Sequence, residues 1–399
     1  MTDPRAQFTY GIEEEFFLVD PETRDLAERV PQHFMRACQL RFGDQVQYEM
    51  QRSQVEIATP VLDSPATARE ALAELRSGVS QLAEPMAMRL VASGTHPLAA
   101  WNAQKHTAEP RYEQLIDDFQ IVGRRNLVCG LHVHVAVPEG VDRVQLMNRL
   151  MPWIPTFLAL STSSPFWNSR RTGLLSYRQA AYDEWPRSGI PDAFDNEAQY
   201  ASFIDLLTRC EALDDGSSLW WAIRPSARFP TLELRIADSC TRMEDSLAIA
   251  AAFRCLVRAH VRCPALGEAQ SPVTRRIIDE NRWRAKRYGT QAAFIDERSR
   301  SLVAFADVLQ QMLALIGPDA DALRCESEIR QLAAICRRGT SAHAQLDIYR
   351  QHRDLGKTRY EALRNVVDWL IEGTAADSQS ESRKSRVCFD QDSLGAANA

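Results

Sequence analysis

Four short segments of this chain alternate aliphatic residues with acids, histidines or an arginine, and its chemistry begins there. In Tyr10-Gly-Ile-Glu-Glu-Glu-Phe-Phe-Leu-Val-Asp20, Ile12, Phe16 and Leu18 share one parity, and Glu13 and Glu15 the other. Gln54-Val-Glu-Ile-Ala58 sets Glu56 against Val55 and Ile57. Leu131-His-Val-His-Val135 sets His132 and His134 against three aliphatics, and Leu232-Glu-Leu-Arg-Ile236 sets Glu233 and Arg235 against three more. Side chains alternate faces along a strand, so each segment predicts a strand with one greasy and one charged face. Two carboxylates two positions apart lie roughly 7 Å from each other, which at an effective dielectric of 20 means about 2 kcal/mol of repulsion. A cation near both relieves it. A lone Glu-x-Glu is more often just a solvent-facing strand. Its recurrence in four distant segments predicts one antiparallel sheet with a packed face and a chemically loaded face.

The loaded face collects Glu13, Glu15, Glu49, Glu56 and Glu233 with Arg235 and one or two histidines. Glu49 precedes Glu56 by seven residues and reaches the face only if the chain curves; otherwise it is a surface carboxylate. Of the two histidines, one ligand is expected, and His132 is chosen. Hard oxygen donors in this number suit Mg²⁺ or Mn²⁺, whereas zinc recruits thiolates or several imidazoles. So many carboxylates exceed what one ion needs. Two or three ions bridging a polyphosphate, with arginines on the remaining oxygens, would balance the charge. The chemistry predicted is phosphoryl transfer from a nucleoside triphosphate. Asn281-Arg-Trp-Arg-Ala-Lys-Arg-Tyr-Gly289 is either a phosphate clamp or a solvated basic face, and the loop 161–173 either cradles an anion or is an ordinary Ser-rich turn.

The surrounding elements follow from spacing. Ser64-Pro65 starts a helix on which Leu72, Leu75, Val79 and Leu82 recur at steps of three and four. Residues 48–59 return to the sheet as one bent strand or two short ones, and 89–93 add another strand. Residues 142–161 predict an apolar helix interrupted by Pro152 and Pro155, and helices follow over 247–261, 291–316, 319–337 and 341–372. His96, before Pro97, reads as structural rather than catalytic. No domain boundary or repeat is visible, so residues 1–374 are expected to form a single domain and 375–399, poor in apolar residues, a disordered tail.

Composition narrows the function. A net charge of −6 gives no electrostatic reason to expect nucleic acid. No apolar run approaches the roughly 18 residues that a membrane span needs, and the first residues lack an export signal. Nine scattered cysteines without a Cys-x-x-Cys pair fit reduced thiols in a cytoplasm. Neither a P-loop nor a Rossmann glycine turn is present, so a nucleotide would be held another way.

Ordered blocks spanning about residues 10–372 resemble the glutamate–cysteine ligase type 2 family, the carboxylate–amine ligases that include the bacterial YbdK proteins. They are Gly11-Ile-Glu-Glu-Glu15, Ser53-Gln-Val-Glu-Ile-Ala-Thr-Pro60, Gly94-Thr-His-Pro97, Gly130-Leu-His-Val-His-Val135, Ser163-Ser-Pro-Phe-Trp167, Arg224-Pro-Ser-Ala-Arg-Phe-Pro-Thr-Leu-Glu-Leu-Arg235 and Trp283-Arg-Ala-Lys-Arg-Tyr-Gly289. The resemblance implies an α+β fold like that of glutamine synthetase, with a curved, mainly antiparallel sheet forming a half-funnel and helices on its outer side. It implies that Mg·ATP phosphorylates a substrate carboxylate and that an amine displaces phosphate from the acyl phosphate, with glutamate and cysteine as default substrates. Glu13, Glu15, Glu49, Glu56, His132 and Glu233 would be the metal ligands, with Glu233 and Arg235 the catalytic pair. Arg235, helped by Arg284 and Arg287, would bind phosphate, and Ser163, Ser164, Arg171, Tyr177 and Arg228 would act in substrate choice. A homodimer is implied. Ala136, Ala222 and Arg171 depart from the family pattern, and the last two replace acids, so another acid or amine, or a nucleotide-binding protein without turnover, are the rival readings.

Overall fold

The computed structural model describes residues 3–267 and 271–392. Strands β1 (Tyr10–Val19), β2 (Val46–Tyr48), β3 (Gln54–Ala58), β4 (Arg89–Val91), β5 (Gly130–Ala136), β6 (Ile223–Pro225) and β7 (Thr231–Asp238) form one sheet in the order β6-β7-β5-β1-β3-β2, with β4 on the far end of β1. Every pairing in it is antiparallel. Register then decides what meets: Glu13 stands opposite His132, Glu15 opposite Glu56, and Glu233 opposite His134. The return to the sheet expected over 48–59 is made by two short strands, but the first begins at Val46 and ends at Tyr48, so only β3 lies within that span.

The aliphatic parity of each strand is buried. Ile12, Phe16, Val55, Ile57, Val133 and Leu234 join one core with Leu72 and Val79 of helix Pro65–Ala83, Phe157 of Ile154–Ser161 and Phe253 of Met243–Arg262. These helices cover one side of the sheet because three- and four-residue spacing puts their apolar residues on one stripe. Ser64 caps the first of them by accepting from the Thr67 N–H at 3.3 Å, and Pro65 occupies its first turn. Beyond Glu15, both faces of β1 are covered. Phe17 and Val19 pack with Leu98, Val128, Leu363 and Leu370 in a second cluster, which confines the open polar face to the first half of the strand.

Glu14 carries the greasy parity and is fully buried. Its carboxylate accepts from Arg76 Nη2 at 2.6 Å and Nε at 2.8 Å, and from Ser246 Oγ at 2.5 Å. Of three consecutive glutamates, the outer two face the loaded side and the middle one bolts β1 to the helices behind it.

The helical second half differs from expectation in detail. Residues 291–316 are not one helix: Ala293–Asp296 and Ser301–Ala304 pair as a hairpin before helix Phe305–Leu323. The turn is closed by Asp296 Oδ1, which accepts from the Ser299 N–H at 2.8 Å, and by Arg300 at φ +52. Pro318 does not end that helix; the break falls at Arg324, with φ +56. The tail expected to be disordered from 375 is helical as far as Asp392, continuing the helix that starts at Arg359. Residues 393–399 lie outside the described residues. Once Leu363, Val366, Val367 and Leu370 are packed, adding helical residues avoids a new nucleation cost. Among the described residues no helix is long and apolar enough to cross a membrane.

Candidate active site

A cavity of about 580 Å³ opens on the polar face of the sheet, and Glu13, Glu15, Glu49, Glu56, His132, His134, Glu233 and Arg235 all line it. Strand alternation and register deliver all but one. Glu49 arrives on the turn between β2 and β3, held there as its carboxylate accepts from the Met50 N–H at 2.8 Å and its carbonyl accepts from Thr107 Oγ1 at 2.5 Å.

The charges divide into two groups. In the first, Glu13 lies between the histidines, 3.2 Å from His132 Nδ1 and 3.2 Å from His134 Nε2. Glu233 accepts from Arg224 Nε at 2.7 Å and from Arg235. Burial pushes both carboxyls up, but the histidines bring Glu13 well below its ordinary value and the two arginines do the same for Glu233. Burial lowers His132; on His134 the hydrogen bond to Glu13 and the Glu233 charge overcome burial and raise it. Glu13, His134 and Glu233 each offer a ligand atom within 4.8 Å of the others.

In the second group, Glu15, Glu49 and Glu56 have no arginine or lysine ion pair among the described residues. Burial pushes Glu56 well above the carboxylate range, reinforced by the charges of Glu13, Glu49 and Glu15. Burial and the Glu49 charge raise Glu15, although it accepts from the Gly130 N–H at 2.6 Å. Buried carboxylates crowded in this way hold protons unless a cation replaces them. The buried Nε2 of His132 has no hydrogen-bond partner among the described residues. The donor set is therefore one that a hard divalent cation fits, and both histidines, not His132 alone, stand within it.

Several lining residues carried no signal in the strand pattern. Met50, Tyr112, Leu115, Trp185 and Trp220 make one wall apolar and aromatic, and the Trp185 and Trp220 rings are 4.8 Å apart. Arg224 was legible in principle: folding 223–234 into a hairpin sets it directly across from Glu233. Arg178 and Tyr182 come from the short helix Tyr177–Tyr182, which nothing in the sequence aimed at the cavity.

Other expected residues are not brought to it. Arg284 and Arg287 lie on helix Pro272–Tyr288, where Arg284 bonds Glu280 and the Ala293 carbonyl and Arg287 stacks on Tyr288. That helix packs on the outer layer, so neither arginine lines the cavity. Ser163 and Ser164 are fully buried: the Ser163 N–H and Ser164 Oγ donate to Asp238 Oδ2 at 3.0 and 2.7 Å. Tyr177 packs on Trp167 at 5.2 Å, and Arg171 is exposed on the Phe166–Arg171 hairpin. Only Arg228 of that group reaches the cavity, at its exposed rim. Of the departures, Ala136 lines the cavity; Ala222 is buried away from it, donating its N–H to the Gly189 carbonyl at 2.8 Å. His96 is buried, its Nδ1 accepting from the Leu98 and Ala99 N–H groups at 3.3 and 3.1 Å, a loop-closing role.

Comparison with known proteins adds three findings. Residues 9–368 match a family model described as glutamate-cysteine ligase family 2. Two relatives, from Ectopseudomonas mendocina and Rhodospirillum rubrum, each named "Putative glutamate--cysteine ligase 2", are 46% and 44% identical; each alignment covers 92% of this chain, and 97% and 96% of theirs. The structure superposes on a glutamate–cysteine ligase from Francisella tularensis in complex with AMP, with a TM-score of 0.66 over 94% of each chain, at 13% identity. It also superposes on a bifunctional glutathione synthetase from Pasteurella multocida, with a TM-score of 0.69 over 93% of this chain and 53% of that one, again at 13% identity. At such identity these likenesses establish the fold, an α+β architecture with a mainly antiparallel sheet.

Proposed function

The chain belongs to glutamate–cysteine ligase family 2, and from that premise we propose that its cavity joins a carboxylate to an amine at the expense of ATP, by default L-glutamate to L-cysteine. The observation that carries the reading is the convergence of Glu13, Glu15, Glu49, Glu56, His132, His134 and Glu233 from separate elements onto one cavity. A carboxylate oxygen attacks the γ-phosphorus of ATP, the bond to the bridging oxygen breaks, and ADP leaves with the electron pair. The amine nitrogen then forms the amide bond at the acyl carbon while phosphate departs with the carbon–oxygen pair and takes the amine's proton. No enzyme nucleophile is needed; placement and charge do the catalysis.

Divalent cations, Mg²⁺ in this proposal, would be held by Glu13, Glu15, Glu49, Glu56, His132, His134 and Glu233, and would supply charge to the polyphosphate. Arg235 is placed for the same charge from the protein side. It is half-buried in the cavity wall, paired with Glu233 and 3.2 Å from the Tyr182 hydroxyl, and its Nε has no hydrogen-bond partner among the described residues. The aromatic wall suits the one flat ring among the reactants, the adenine. Arg111 and Arg228 line the same cavity and add positive charge. The chain is further proposed to act as a cytoplasmic homodimer without nucleic acid, as its family resemblance and its acidic balance suggest.

The test is phosphate release from Mg·ATP against a panel of amino acids and amines. Release with glutamate plus cysteine supports the default pair, and release with another pair moves the substrate. Binding without release on any pair removes the ligase reading.

A further inference from the structure

Arg178 is 1% exposed and lines the cavity, yet among the described residues it makes no ion pair. Among those residues its side chain makes one hydrogen bond, from Nη1 to the Arg235 carbonyl at 3.3 Å, and its Nε has no hydrogen-bond partner. The other buried arginines, and the half-buried Arg235, are served differently. Arg76 is forked on Glu14, Arg224 and Arg235 share Glu233, and Arg254 donates to the carbonyls of Phe8, Arg5 and Asp63. The charges of Glu15 and Asp238 act on it from beyond ion-pair distance, which leaves donors of a buried guanidinium open to a further anionic group.

The space it faces is defined by Gly130. A Cβ at that position would lie 2.2 Å from Arg178 Nη2 and 3.0 Å from His132 Nε2. A side chain at that position would displace the guanidinium, so glycine leaves Arg178 the room it occupies; no positive φ asks for it. The Arg178 guanidinium and His132 Nε2, which has no hydrogen-bond partner among the described residues and lies 3.7 Å from Glu15, therefore converge over Gly130. The placement is built from behind: the Arg178 N–H donates to Ser164 Oγ at 3.0 Å, Ser164 Oγ donates to Asp238, and the guanidinium lies 5.4 Å over the Tyr182 ring. The Ser163–Tyr177 loop, expected to choose substrates directly, instead sets the position of Arg178.

We propose that Arg178 is a further catalytic residue, its guanidinium receiving an oxygen of the phosphoryl group as that group passes from ATP to the substrate carboxylate. This rests on the ligase reading. The phosphoryl group is favoured over the substrate's carboxylate because the space abuts Glu15 and His132, which that reading gives to the cation holding the phosphates. In the step, the new phosphorus–oxygen bond forms as the bond to the bridging oxygen breaks and its electron pair leaves on ADP. No proton moves, and a planar guanidinium matches the developing equatorial charge.

The experiment compares the affinities of Mg·ADP and of the Mg²⁺ complex of the non-hydrolysable β,γ-methylene analogue of ATP, by calorimetry on wild type, Arg178→Lys and Gly130→Ala. Wild type is expected to prefer the analogue, and both variants are expected to lose roughly 10- to 100-fold of that preference, the worth of a charge-assisted hydrogen bond, while their affinity for ADP stays within threefold. A preference unchanged in Arg178→Lys overturns the proposal and leaves the ligase reading standing. ADP affinity that falls in step with the analogue's, together with a lowered melting temperature, shows a structural arginine and also overturns it. Wild type binding neither nucleotide overturns the ligase reading itself. On turnover, a defect confined to the KM for the acid would reassign the oxyanion to the substrate's carboxylate and sink the phosphoryl assignment. A lowered kcat with KM values for acid and amine retained supports it.

Discussion

Replacing Arg76 by Met should destabilise the protein severely, whereas changing the glutamates on either side of its partner should not. The Arg76–Glu14 pair is bidentate at 2.6 and 2.8 Å, with side chains 2% and 0% exposed, and Arg76 also donates to the Cys240 carbonyl at 3.0 Å. Removing the guanidinium leaves Glu14 buried with only Ser246 of these donors, a loss in the range of about 3–5 kcal/mol. With an unfolding entropy of about 2.1 cal/mol/K per residue over 399 residues, that corresponds to a melting temperature lowered by about 4–6 °C. Glu15→Gln, one residue along, removes a carboxylate from a crowded acidic group, so stability should hold or rise while phosphate release is lost. The double variant Glu14→Leu with Arg76→Met should recover at least half of the single variant's loss, because a buried pair replaced whole by apolar groups strands no charge. Urea unfolding with a constant m-value is the assay. A cost below about 1 kcal/mol for Arg76→Met, or additive losses in the double variant, would refute the assignment of the middle glutamate to the core.

Mg²⁺ titrated against the melting temperature should stabilise wild type progressively, by about 2.7 kcal/mol at a hundred times the dissociation constant; Glu56→Gln should flatten that response, and an undiminished rise would remove Glu56 from the ligand set. Burial holds the His96 imidazole down to about 3, so it folds neutral while the unfolded chain binds a proton below about 6.5. Its contribution is complete above that pH and is lost as the pH falls toward 3, with roughly 3 kcal/mol gone by pH 4.5; His96→Asn, which keeps an acceptor for the two N–H groups, should shrink that acid sensitivity in urea midpoints taken between pH 7 and 4.5. Arg284→Ala and Arg287→Ala should leave kcat for phosphate release within twofold, since neither side chain reaches the cavity, and a hundredfold loss in either would restore the phosphate-clamp role. Glu233→Gln should abolish release and also cost stability, because it loosens Arg224 and Arg235 together; melting temperature and rate measured on the same sample check both.

Much of this protein was legible before any fold was drawn. Alternation alone identified β1, β3, β5 and β7, put their aliphatic parity in the core and placed Glu13, Glu15, Glu56, His132, His134, Glu233 and Arg235 on one face. That works because the strand period of two is a local property of the backbone, and a one-residue slip would drive the acids into the core. Strand register, helix breaks and the fate of residues outside the alternation were not local. Glu14 could be seen to have the wrong parity, but its partner is 62 positions away. The basic run ending at Gly289 read equally as a phosphate clamp or a solvated basic face, and only packing on the outer layer showed where Arg284 and Arg287 lie. Conversely, Arg178 is an unremarked residue in a Ser-rich stretch until the chain brings Ser164, Asp238 and Gly130 around it. The sequence by itself determined which face of the sheet is loaded and with what chemistry, because side-chain alternation needs no distant contact. The tertiary structure alone decided which cations meet that face and which acid serves the core, because a charge's role depends on the partners and the burial that distant segments supply.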